Sequence, residues 1–143
     1  MAEHSPLVRW SRIGAMAFAW LFTAGVALQV FLAGLALFDT AERWQNHTDV
    51  GYMIGIFPLV LLVLVLLGRL PREIIGMTVV LVLLYIVQTI LPTLDAGYIA
   101  ALHPIVAFVL MGMSGQLGAR IRPFAAGTPS SAVPHHHHNA SLE

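Results

Sequence analysis

Two histidines and two glutamines stand inside otherwise apolar stretches of this sequence: Gln29, His47, Gln88 and His103. A polar group at membrane depth is costly, so such residues mark sites more often than their neighbours do. Neutral imidazole is a ligand for iron and other metals, and an amide can orient an imidazole or bond a ring substituent. If His47 and His103 face one another, they are candidate metal ligands on a b-type haem, with Gln29 and Gln88 beside them. Arg43 is the candidate partner for a propionate. A single histidine would equally serve the magnesium of a chlorophyll-type pigment. The same Gln/His set would hydrogen-bond a quinone head group. The competing expectation is plainer: histidines wetted at a helix mouth, and glutamines joining helices.

The elements that would position these groups are four apolar blocks, about residues 13–38, 47–67, 74–91 and 98–118. Each is near the roughly 20 residues a spanning helix needs. The first has the length of a retained span rather than a signal-peptide core, and no A-x-A-like site follows it. Connections at 39–46, 68–73 and 92–97 are short, which predicts an all-α, up-down-up-down transmembrane four-helix bundle. Residues 1–12 would precede it, and residues 121–143, rich in Ala, Gly, Pro and Ser, are expected to be disordered. That tail includes His135, His136, His137 and His138, a low-complexity run or a tag remnant.

Hydrophobic residues make up 58% of the 143, and 10% are charged. Mean hydropathy is +0.82. That is too little polar surface for a soluble domain, and a lipid bilayer is the expected surrounding. There is no cysteine, which excludes disulfides, thiolate catalysis and Cys-ligated clusters. The formal net charge is zero and no lysine is present, so no basic field exists to hold nucleic acid.

Arginine placement predicts orientation. Arg9, Arg12, Arg69, Arg72, Arg120 and Arg122 fall on one side, and Arg43 alone on the other. The positive-inside rule then places both termini in the cytoplasm, with the chain in the inner membrane. Counting 1.5 Å per residue from the helix ends, Gln29 lies roughly 13 Å, Gln88 about 5 Å and His103 about 8 Å into the outer half. His47 sits at the mouth of the second helix. Gly51 and Gly55, one and two turns below His47, would leave an open face for a flat macrocycle. Pro58 should kink that helix.

No nucleophile–base constellation, phosphate loop or HExxH motif is present, so a self-contained active site is not expected. An inverted repeat is also missing, which argues against a transporter. Two functions lead: a haem- or pigment-binding electron-transfer module, or an accessory subunit of a larger membrane complex or homo-oligomer, with a small-molecule or proton permease working as an oligomer the third.

FLAGLALF at Phe31 to Phe38, WxxH at Trp44 to His47 and AALHPIVAFVL at Ala100 to Leu110 together resemble a family of small bacterial four-helix membrane proteins, a domain of unknown function. The resemblance spans most of residues 13–120. It implies a fold and a membrane location, and makes the WxxH and LHP elements recurrent features without saying what they bind.

Overall fold

The structure is a computed structural model that describes residues 5–127. The histidine run at 135–138 and the rest of the tail beyond 127 lie outside the described residues, as do residues 1–4. Everything regular among the described residues is helical, and four helices are long and apolar enough to cross a membrane.

The first span is α1, Pro6–Phe38. It begins before residue 13 because Pro6, at an early position where its missing N–H costs nothing, starts it. No helix breaker follows, and Val8 and Ser11 are buried against the bundle. Thr40 caps the 3₁₀ turn Ala41–Arg43 that opens the second span, its hydroxyl accepting from the Glu42 N–H.

The second span is broken into α2, Trp44–Ile54, and α3, Ile56–Leu67. Pro58 has no N–H to donate to the Ile54 carbonyl, and its ring crowds that group. The break settles at Gly55, whose N–H turns to the Tyr52 carbonyl at 3.2 Å. The kink expected from Pro58 therefore exists, displaced three residues toward the helix start.

α3 ends in a Schellman motif. The Leu70 N–H reaches the Val65 carbonyl at 3.2 Å and the Arg69 N–H the Leu66 carbonyl at 3.1 Å. The left-handed residue is Arg69, with φ 49, although a glycine stands directly before it. Gly68 has a different task. A Cβ there would lie 3.0 Å from the Leu64 carbonyl oxygen and 3.2 Å from the Arg12 side chain. Arg12 Nε in turn donates to the Gly68 carbonyl at 2.9 Å, placing a cation on the negative end of α3.

The third span is α4, Arg72–Ile90, closed by a 3₁₀ turn at Leu91–Thr93 containing Pro92. The fourth is a single turn, α5, Gly97–Ala100, followed by α6, His103–Ala126. Helix α6 runs past the expected end near 118, through a stretch read as disordered. Ile121 is fully buried and anchors it, Pro123 costs one backbone bond near the end, and Ala125 and Ala126 favour helix. Gly127, at φ 66, terminates it.

Helix α1 packs along α6 and α3, and α4 packs on α3 and α6. Spans one and three, and two and four, are thus diagonal. Ala15 and Ala19 are fully buried and let α1 approach α6 closely. Trp20 lies flat over the same seam, where a Cβ on Gly118 would stand 2.7 Å from its Nε1. Thr23 and Ser114 join hydroxyls across it at 2.6 Å. The core is Phe22, Leu61, Val65, Leu81, Leu110 and Leu117, all essentially inaccessible. Large apolar side chains such as Phe31, Met53, Leu83 and Phe108 point outward along every span. So much exposed apolar surface fits a multi-pass membrane protein with lipid around it.

Candidate functional site: a cavity between His47 and His103

At the end carrying the 39–43 and 91–96 connections, the bundle opens. Below the Gly55 break α3 packs against both neighbours, while α2 packs mainly on α1 and meets α4 and α6 through few side chains. What remains is a cavity of about 660 Å³, walled by all four spans. That is within the range of small-molecule and cofactor sites. Most of its wall is aliphatic or aromatic, and its polar groups are few.

His47 and His103 meet across it. Their ring centroids are 6.1 Å apart and their planes inclined at 64°. The start of α2 and the start of α6 bring the two rings within contact of one another, although counting from the helix ends would set His47 shallower.

Each ring is held by the glutamine of the preceding span. His47 Nδ1 lies 3.1 Å from the Gln29 carbonyl oxygen, and His103 Nδ1 lies 2.9 Å from the Gln88 carbonyl oxygen. A carbonyl only accepts, so His103 Nδ1 donates to it and His103 Nε2 keeps a lone pair. The two hairpins therefore repeat one device, Gln29 with His47 and Gln88 with His103. It is the arrangement that usually orients a metal-binding imidazole.

The glutamine side chains differ. The Gln29 amide inserts into the ladder of α2, its nitrogen facing both the His47 carbonyl at 2.8 Å and His47 Nδ1 at 3.1 Å, and its oxygen accepting from the Gly51 N–H at 3.1 Å. The Gln88 amide nitrogen sits 3.2 Å from His103 Nε2 and donates to its lone pair. Gln88 Oε1 is buried and has no partner. Leaving such an acceptor unpaired costs about 1–3 kcal/mol. Trp44 backs His47 edge-on at 5.6 Å.

The open face expected below His47 is filled. A Cβ on Gly51 would stand 3.3 Å from the Gln29 amide, and one on Gly55 would overlap the Tyr85 ring. The Tyr85 hydroxyl donates to the Gly51 carbonyl at 2.7 Å, a bridge from α4 to α2 that floors the cavity. The glycines thus seat side chains. Room above them comes from Ala33, Gly34 and Ala100 in the cavity wall. A tyrosine in a hydrophobic run reads as packing, so nothing in the sequence singled out Tyr85. Thr23 and Ser114 went unnoticed for a similar reason, since each hydroxyl can also bond its own helix.

Arg43 does not line the cavity. It pairs with Asp39 at 2.6 Å on the exposed first connection. Among the described residues, no group of three or more His, Asp or Glu gathers to hold a metal ion. A pair of imidazoles is what the site offers.

No curated protein and no solved structure is significantly similar to the chain. Residues 29–94 match a family of unknown function (DUF6220), a stretch that includes the FLAGL and WxxH elements with Gln29, His47, Tyr85 and Gln88, and stops short of His103.

Proposed function

We propose that the chain is a membrane-embedded electron-transfer module that holds a b-type haem between His47 and His103. The observation that carries the reading is the pair itself: two imidazoles, each with Nδ1 on a backbone carbonyl, 6.1 Å apart in a cavity of about 660 Å³. A haem iron would take a ring nitrogen from each imidazole, and His47 and His103 are the residues that would hold it. The haem would supply one-electron transfer at a potential set by its ligands and burial. The chain's part is to bind and orient. His47 and His103 offer their Nε2 atoms, Gln29 fixes the His47 ring, and Tyr85 closes the floor. Gln88 must release His103 Nε2 before that atom can ligate. The test is titration of the detergent-purified chain with haemin, which should saturate at one equivalent with a sharp Soret band.

A second reading has its own support. The unpartnered Gln88 Oε1 asks for a hydrogen-bond donor. An amide and a neutral imidazole can each donate and accept, which suits a head group that is a diol when reduced and a dione when oxidised. A quinone would then occupy the cavity in place of a macrocycle. It would bind saturably to a chain that takes up no haem.

A further inference from the structure

The opposite end of the bundle has a charge pattern the cavity does not use. Arg9 and Arg12 on α1, Arg69 in the 68–71 connection, Arg72 at the start of α4, and Arg120 and Arg122 on α6 all lie at that end. The Arg12–Gly68 bond ties α1 to the connection, and a groove lined by Pro71, Glu73, Ile74, Arg120 and Phe124 ties α6 to it. Glu73 is the one carboxylate at that end among the described residues. The one ion pair among the described residues is Arg43–Asp39, at the other end. Arg69, Arg72, Arg120 and Arg122 are thus exposed, with no described carboxylate within ion-pair distance.

We infer that this groove is a binding site for an anionic phospholipid, its phosphate held by Arg120 with support from the arginines at the rim, and its chains lying along the apolar helix surfaces. Three observations support that occupant. The groove, about 290 Å³, opens beside apolar faces of α4 and α6 that point outward. Its lining joins a guanidinium to Pro71, Ile74 and Phe124, matching a charged head above a hydrocarbon chain. Among the described residues the arginines around it have no ion-paired carboxylate, and a lipid phosphate is the partner a bilayer presents to them. Glu73 shares the groove and opposes a phosphate there, which makes its removal informative.

The test is native mass spectrometry of the full chain in detergent, titrated with dioleoyl phosphatidylglycerol or dioleoyl phosphatidylcholine. The wild-type chain is expected to retain phosphatidylglycerol preferentially. Arg120→Gln should weaken that binding about fivefold, the effect of one arginine near a lipid head group. Glu73→Gln should tighten it, and Arg43→Gln, at the far end, should leave it unchanged. Equal retention of the two lipids, or an Arg120→Gln chain that binds like wild type, would overturn the proposal. So would displacement of the lipid by millimolar inorganic phosphate, which would make the groove a site for the free ion.

Discussion

The His47 and His103 rings stand 6.1 Å apart, each tied through Nδ1 to the backbone of a glutamine one span earlier in the chain. The two imidazoles are therefore presented by two similar hairpins, each ring anchored through the same nitrogen to a backbone carbonyl.

Gln88 is the residue whose role changes most between an empty and a filled cavity. Its Oε1 is unpartnered and its amide nitrogen covers His103 Nε2. Gln88→Leu removes the orphan acceptor and uncovers the imidazole. The variant is expected to be more heat-stable in detergent by about 1 kcal/mol, the lower end of the cost of an unpaired buried acceptor. It should also bind haemin at least as tightly as wild type. A quinone site would lose affinity on the same substitution, so a quinone analogue titrated in parallel separates the readings.

Tyr85 should be coupled to Gly55. A Cβ on Gly55 overlaps the tyrosine ring, so Gly55→Ala is an overpacking change with an expected cost of about 1–3 kcal/mol. Tyr85→Leu shrinks the obstruction but loses the bond to the Gly51 carbonyl, worth about 1 kcal/mol. The double variant should be more stable than the sum of the two single effects predicts. Additive melting shifts in detergent would show that the ring does not sit over Gly55.

The four spans are legible in the sequence because each is a long apolar block, and lipid leaves helix as the way to satisfy its backbone. That Gln29, His47, Gln88 and His103 gather at one end of the bundle follows from counting residues along helices. What fills the space beside them does not. Gly51 and Gly55 look like a vacant face until the side chains of Gln29 and Tyr85, which arrive from other spans, are placed over them. Arg43 looks like a cavity cation until Asp39, four residues earlier, takes it. Helices outrun their apolar blocks where burial overrules composition, as at Ile121, which carries α6 on to Ala126.

The connection between α3 and α4 offers a stabilising change. Arg69 occupies a left-handed conformation that disfavours any residue with a Cβ. Arg69→Gly should raise stability by up to about 1 kcal/mol, read as a higher midpoint of thermal unfolding in detergent. The neighbouring Gly68→Ala should do the reverse, because its Cβ would press on the Leu64 carbonyl and Arg12. Opposite signs at adjacent positions test the assignment of the two roles.

The hydroxyl pair Thr23–Ser114 and the Trp20–Gly118 contact make one seam between α1 and α6. Gly118→Leu should force Trp20 off that seam and destabilise the chain by about 1–3 kcal/mol. Because the seam is remote from the cavity lining, haemin binding by the folded fraction should be unaffected. A parallel loss of binding would mean that the α1–α6 spacing, rather than the local histidine geometry, controls the cavity.

The most direct test of the central claim is the absorption spectrum of the purified, haemin-loaded chain, oxidised and then reduced with dithionite, beside His47→Ala and His103→Ala. Bis-histidine ligation predicts a Soret band with sharp reduced α and β bands in wild type, lost in both variants. A spectrum that survives either substitution, or a well-folded chain that takes up no haem, would contradict it.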